Sequence, residues 1–519
     1  MVDTATNSKT IAKNTLYLYF RMMVTMLITL YTSRVVLKIL GVDDYGVYQS
    51  VGGIVGFLSF LNNALSTGSS RFITFGLGEG DKEKLRRIFS TTLTTHICLA
   101  IIIIVFAETI GWWFLHNKLV IAEDRVAAAE FVYHLSILTA FFSLTQVPYR
   151  ASIIAHEKMS VFAGVTIVEA ILQLSIVFVL PMGNIDKLKL YAFLLCLLQI
   201  GIIIFYRIYC IRHFEESRFK FLIDKSVFKE IVQFSGWSLF ANGTIALNNQ
   251  GILVLLNMFF TPAVVVARSL SLQVNLAATH FITNFQTAAT PQIVKRYAEK
   301  DYEGSKLLLL QTTKFSYYLM LILSLPICLG AESILKLWLV EVPEYTVVFL
   351  QIIIVQSLFT IFDTSFYRAL YTKGRLKENA LISPSLMFIQ FPIVYILFKM
   401  GYSPIVLSWA SLITYMLLGL LVKPILIIRI VDYTWKDIFS VFVPCLKVTV
   451  ISVVLPVISY MYLKNTIENQ FLWLIVICGI SISSVLITVW YFGLDTFTKN
   501  KLIAVVKRKL SIIFKKENA

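Results

Sequence analysis

The residues of this 519-residue sequence best placed to do chemistry are polar and charged side chains set inside long apolar runs. In hydrocarbon such groups are costly, and they persist where they face a cavity, a partner or a water path. Arg21, Thr25, Thr29 and Thr32 are spaced by four, four and three, which is one face of a helix. Ser59, Asn63, Ser66, Ser70 and Thr74 repeat that spacing, with Arg71 beside them, and Ser235, Ser238, Asn242 and Asn249 form a third stripe. The richest stripe, Arg268, Ser271, Asn275, Thr279, Thr283, Gln286 and Thr290, covers about six helical turns. Guanidinium groups grip phosphate bidentately, and Ser, Thr and Asn bond sugar hydroxyls, so the chemistry on offer is recognition of an anionic, hydroxyl-rich substrate. A single Ser or Thr is better explained as glue between helices. Four stripes together point instead to a water-filled cavity.

The remaining charges divide by depth. Arg34 lies near the end of its run and can snorkel to the interface, and Arg71 lies near an end too. Arg21 and Arg268 sit a turn or two inside and are assigned to the cavity; Lys314, near the start of its run, fits snorkelling and substrate contact equally. Glu169 and Asp363 are the candidate coupling residues, Glu169 neutral or paired across helices and Asp363 paired with a cavity cation. His280, off the stripe, reads as a packed residue, and Asp43-Asp44 as a solvated turn. No phosphate-binding glycine loop with its lysine, no HExxH and no Cys/His metal spacing appears, so neither an enzyme, a metal nor a cofactor is expected. The six cysteines lie in or beside apolar runs without a CxxC pair and read as packing residues.

The elements that must position these groups are membrane spans. The chain is 57% hydrophobic and only 15% charged, where soluble domains sit near roughly 25% charged. Fourteen apolar runs long enough to cross a bilayer succeed one another. They are Leu16–Leu40, Tyr45–Phe75, Ile88–Leu115, Ala128–Ile154, Val161–Leu180, Leu188–Tyr209, Phe228–Leu256, Ala263–Val294, Leu307–Leu329, Tyr345–Tyr367, Leu381–Phe398, Ile405–Ile430, Val441–Leu463 and Phe471–Phe492. Lipid offers no partner to an unpaired backbone group, so all must be helices. With the N-terminus inside, the outer loops and span ends carry only Lys38, Lys118, Arg125, Lys187, Lys189, Lys336, Lys399 and Lys464 of the 46 Lys and Arg. That bias assigns both termini to the cytoplasm and accounts for the +16 net charge without nucleic acid. The first apolar run reads as a retained helix rather than a removed signal peptide. From Lys499 to Lys516, Leu502, Val506, Leu510 and Ile513 recur at helical spacing among lysines, which fits a helix on the anionic inner leaflet or a solvated basic tail.

The chain also echoes itself. Tyr149-Arg150-Ala151 closes the fourth span and Tyr367-Arg368-Ala369 the tenth; Glu79-Gly80-Asp81 follows the second and Glu299-Lys300-Asp301 the eighth. The offsets of these two matches agree within two residues, and Thr91-Thr92 and Thr312-Thr313 come next in turn. A six-span unit enters twice from the same side, so the halves are expected to be related by a pseudo-two-fold axis along the membrane normal. The expected architecture is an all-α polytopic membrane protein: six-helix lobes at 1–215 and 216–432, two further helices at 433–498 and a basic cytoplasmic tail at 499–519. A substrate site between like lobes suits alternating access.

Ser33-Arg34-Val35-Val36-Leu37-Lys38-Ile39-Leu40-Gly41 followed by Tyr45-Gly46-Val47-Tyr48 resembles the first hairpin of the Wzx-type oligosaccharide flippases. These belong to the multidrug/oligosaccharidyl-lipid/polysaccharide exporter superfamily. Ala289-Thr290-Pro291-Gln292-Ile293-Val294-Lys295-Arg296-Tyr297-Ala298 is similar to a stretch common in such proteins, as is Leu337-Trp338-Leu339 with Val342-Pro343-Glu344-Tyr345. The resemblance covers residues 10–430. It implies two six-helix lobes in a V, a cavity lined by helices 1, 2, 7 and 8, and a polyprenyl-pyrophosphate-linked glycan moved from the inner to the outer leaflet. It carries no universal set of functional residues. The drug exporters of that superfamily often place an acidic residue in the first helix, and this chain has none there.

The expected function is therefore a flippase of a bacterial plasma membrane, serving O-antigen, lipopolysaccharide or another surface polysaccharide. Its partners would be the lipid-linked glycan, membrane lipids and other polysaccharide-assembly membrane proteins, with no nucleic acid. The substrate-binding candidates are Arg21, Thr25, Asn63, Ser66, Arg71, Asn242, Arg268, Asn275, Thr279 and Lys314. The alternatives are a cation-coupled drug exporter and a membrane glycan polymerase or ligase; the latter resembles proteins with one large outer loop, which the span lengths leave no room for.

Overall fold

The hydropathy pattern resolves into helices joined by short turns. The structure, a computed structural model, describes residues 4–57, 69, 72–73, 76–77, 81–156, 158–182, 184–219, 222–229, 243–244, 246–375, 377–464, 466–496 and 499–500. Among these, α1 (Thr4–Phe57), α2 (Lys82–Phe106), α3 (Trp112–Lys118), α4 (Val126–Ala155), α5 (Met159–Val179) and α6 (Lys187–His213) are followed by α7 (Ile252–Phe259) and α8 (Pro262–Ala298). Then come α9 (Tyr302–Leu329), α10 (Ala331–Trp338), α11 (Thr346–Lys373), α12 (Lys377–Lys399), α13 (Ile405–Leu417), α14 (Lys423–Val431), α15 (Trp435–Leu463) and α16 (Gln470–Thr488). No strand occurs among the described residues.

Eleven helices among the described residues are long and apolar enough to cross a membrane. Of the other expected spans, the second and seventh lie only in part within the described residues, and the eighth is α8, whose polar stripe lowers its hydropathy. The chain is an all-α polytopic membrane protein. Apolar side chains such as Leu446, Ile458 and Met461 on α15 are more than half exposed, the surface a helix presents to hydrocarbon.

Local chemistry sets the helix ends. Gly41 interrupts α1 with φ +79°, a conformation that L side chains rarely adopt, so the first two expected spans are separated by one glycine. Asp81 caps α2 by accepting from the Lys84 N–H at 3.0 Å, and Asp301 caps α9 by accepting from the Gly304 N–H at 2.9 Å. The two aspartates of the sequence echo thus perform the same task, each at the start of its own helix. Thr434 and Asp437 form a reciprocal capping box on α15. Single π turns, which open a helix locally, join α2 to α3 (Ala107–Gly111), lead into α7 (Leu247–Gly251) and join α13 to α14 (Leu418–Val422).

The chain forms two compact units. One comprises Met1–Gln273, Trp338–Thr346 and Ala380–Ala410; the other Val274–Leu337, Val347–Asn379 and Ser411–Ala519. In the first, α2, α4, α5 and α6 enclose a core of Leu85, Ile88, Phe89, Tyr149, Phe162 and Tyr206. At one end of this unit, Arg125 Nη2 lies 2.6 Å from Asp44 and Nη1 lies 2.7 Å from Asp186. Asp44 is therefore an ion-pair partner rather than the solvated turn residue expected, because the guanidinium fork meets two carboxylates brought from distant turns. In the second unit, α9 and α11 are central: 56% and 61% of their most apolar stretches are buried.

Candidate functional site

Three helices of the first unit bring guanidinium groups together. Arg21 on α1 and Arg150 on α4 both lie against the ring of Phe162 on α5, their Cζ atoms 4.9 and 5.3 Å from its centroid. Aromatic faces attract cations, so one ring orients both side chains. Among the described residues neither arginine has a carboxylate within ion-pairing distance, and the buried Nε of Arg21 has no hydrogen-bond partner. Arg207 on α6 stands nearby, its Nη2 donating to Thr145 at 3.0 Å and its Cζ 5.7 Å from the Tyr149 ring.

Beside this group is a cavity of about 360 Å³ lined by Tyr48, Ser136, Thr139, Ser143, Arg150, Glu169 and Gln199, together with apolar residues. Gln199 donates to the buried Gln146 at 3.2 Å. The arrangement offers hydroxyl and amide groups around one carboxylate and one guanidinium, in a volume within the range of small-ligand sites. A second hollow of the same unit, about 510 Å³, is lined by apolar residues of α2, α3, α7 and α12, among them Phe106, Ile110, Val254 and Phe391. It offers apolar contact only.

The polar stripe of α8 meets α11 in the second unit. Arg368 donates to the Thr290 hydroxyl, and its Nη2 donates to Gln286 at 3.3 Å. Gln286 in turn donates to Ser365 at 2.9 Å, and Ser357 donates to Asn275 at 2.6 Å. Asp363 lies 3.2 Å from Lys423, and both are largely enclosed.

The candidates from the sequence fall into distinct places. Arg21 is half-buried among the cations just described. Thr25 directs its hydroxyl to the Arg21 carbonyl at 2.9 Å, and Thr279 to that of Asn275 at 2.9 Å, both within their own helices. Arg268 is only 4% exposed and donates to Ser408 at 3.2 Å within the first unit. Lys314 is half-buried on α9. Glu169 lines the polar cavity beside Arg150, and Asp363 meets a lysine. Asn63, Ser66, Arg71 and Asn242 lie outside the described residues.

Spacing along single helices did not single out Arg150, Arg207, Arg368 or Lys423. Arg150 and Arg368 carried a signal nonetheless: they are the matched arginines of the internal echo, and each joins a polar cluster in its unit.

No protein-family model matches the sequence. No curated protein matches it. Solved structures do. A lipid II flippase, MurJ, in an inward closed conformation is 14% identical, with a TM-score of 0.69 over 94% of this chain and 99% of that one. An inward-facing multidrug resistance MATE family transporter of the MOP superfamily is 15% identical, with a TM-score of 0.66 over 80% of this chain and 99% of the other. A MOP superfamily transporter from Pyrococcus furiosus, described as having a binding pocket of reversed polarity, is 17% identical, with a TM-score of 0.57 over 81% and 97%. At these identities the likeness shows a shared fold.

Proposed function

We propose that this chain is a flippase that carries a polyprenyl-pyrophosphate-linked oligosaccharide from the inner to the outer leaflet of a bacterial plasma membrane for surface polysaccharide assembly. The observation that carries the reading is the pair Arg21 and Arg150, held on one aromatic ring inside membrane-spanning helices with no carboxylate partner among the described residues. Two guanidinium groups set on one ring within membrane-spanning helices call for an anionic substrate, and a pyrophosphate presents oxygens that accept hydrogen bonds from both guanidinium forks. The neighbouring polar cavity supplies hydroxyl and amide partners of the kind a sugar needs. The fold shared with a lipid II flippase supports a lipid-linked cargo. Asn63, Ser66, Arg71, Asn242, Arg268, Asn275, Thr279 and Lys314 remain in the proposal as further lining groups of a path between the lobes 1–215 and 216–432, working by alternating access. Glu169 and Asp363 are its proposed charge-coupling positions.

A cation-coupled exporter of small molecules is the second reading, favoured by the fold shared with MATE transporters and by the carboxylate of Glu169 inside the polar cavity. One experiment separates them. Deletion of the gene is expected to leave a lipid-linked saccharide accumulating on the cytoplasmic leaflet. An unchanged lipid-linked pool together with raised drug sensitivity supports the exporter instead.

A further inference from the structure

Lys423 is among the largest fully buried side chains of the protein, 2% exposed within a membrane-spanning segment. A buried ammonium is strongly unfavourable unless protein atoms replace its water. Here they do so from three directions. The Asp363 carboxylate lies 3.2 Å from Nζ, the Asn379 side-chain carbonyl accepts a hydrogen bond from it, and Nζ stands 5.4 Å from the centroid of the Tyr367 ring. An anionic oxygen, a neutral oxygen and an aromatic face are the set that holds a dehydrated monovalent cation.

The backbone is shaped to deliver the ammonium. The π turn Leu418–Val422 ends at the residue before Lys423 and shifts the register of α14. Gly419, within that turn, lets it approach α11 closely: a Cβ there would lie 2.5 Å from the Phe359 carbonyl oxygen. The helix bearing the lysine thus sits directly against the helix bearing Asp363 and Tyr367. All these residues belong to the second unit.

We propose that Asp363, Asn379 and Tyr367 form a binding cage for a monovalent ammonium-type cation, and that the chain fills it with its own Lys423. The cation of this site is tethered, so balancing Asp363 needs no free ion. The cage is independent of the transport reading, because binding rather than translocation tests it. Lys423→Ala removes the three carbons and the ammonium beyond Cβ, which propylammonium can replace. In purified full-length protein, propylammonium chloride should raise the unfolding midpoint of Lys423→Ala in proportion to its concentration, as ligand binding to the folded state requires. It should leave the wild type unmoved relative to equal choline chloride, and adding Asp363→Asn should abolish the rise. Equal shifts in Lys423→Ala and wild type, or no shift in either, overturn the proposal. Should Lys423→Ala fail to fold, Lys423→Met keeps the volume and leaves only the unbalanced carboxylate. Asp363→Asn should then restore its midpoint toward that of the wild type. A further fall in the double variant overturns the cage.

Discussion

Arg125→Ala should measurably loosen the end of the first unit where Asp44 and Asp186 meet. Arg125 donates Nε to Asp44 at 2.7 Å, Nη2 to the other Asp44 oxygen at 2.6 Å and Nη1 to Asp186 at 2.7 Å. The three side chains are 20–28% exposed, nearer to buried than to surface pairs. Breaking a buried pair costs roughly 3–5 kcal/mol and a surface pair about 0.2–1 kcal/mol. At this burial the loss should be about 2–3 kcal/mol, since the variant also leaves two carboxylates without their shared cation. The assay is unfolding of the purified protein in detergent, with a double-mutant cycle through Asp44→Asn to isolate the pair. Acid adds an independent check. Burial pushes the Asp186 carboxyl up, but the hydrogen bonds from Arg125 and from the Lys189 backbone outweigh it and hold the group below its ordinary value. A depressed carboxylate stabilises the fold above its unfolded pKa, about 3.9 for Asp, and loses that contribution as the pH falls through the folded value. The Asp186 share of the difference between wild type and Arg125→Ala should therefore be full at neutral pH and shrink below about pH 4. A loss under about 0.5 kcal/mol, the range of an ordinary surface substitution, would refute the reasoning.

Helix ends and topology give two further outcomes. Asp81→Ala and Asp301→Ala should each cost about 0.5–2 kcal/mol of unfolding free energy, the worth of an N-cap, and by similar amounts. A loss confined to one of them would contradict their equivalence. Reporter fusions placed after Lys84 and after Lys118 should report opposite sides of the membrane, since one apolar span lies between them; the same side for both would break the orientation read from the charge bias.

Much of the fold was legible because a bilayer imposes length and hydropathy on whatever crosses it. Arg21 drew notice for a related reason: a charge a turn or two inside an apolar run stands out by depth and face. What a single helix cannot show is which helix it meets. Arg150 lies in the Tyr-Arg-Ala echo, but its meeting with Arg21 on Phe162 depends on the packing of α1, α4 and α5. Asp363 was expected to pair with a cavity cation; it meets Lys423, 60 positions further on and fully buried, which no single-helix pattern marks. Its delivery depends on a π turn, which leaves no periodic mark in the sequence. Asp44 read as a turn residue because its partners Arg125 and Asp186 lie in two other turns.

Translocation by reconstituted full-length protein tests the cationic grip most directly. Vesicles would carry a fluorescent polyprenyl-pyrophosphate-linked glycan in one leaflet, with its arrival in the other read by a membrane-impermeant quencher. The wild type should move the glycan. Arg21→Ala and Arg150→Ala should each weaken its binding roughly 10- to 100-fold, as loss of a charged hydrogen bond of about 1.5–3 kcal/mol requires, and the double variant should fall to the protein-free rate. Translocation by the double variant at the wild-type rate would contradict the account.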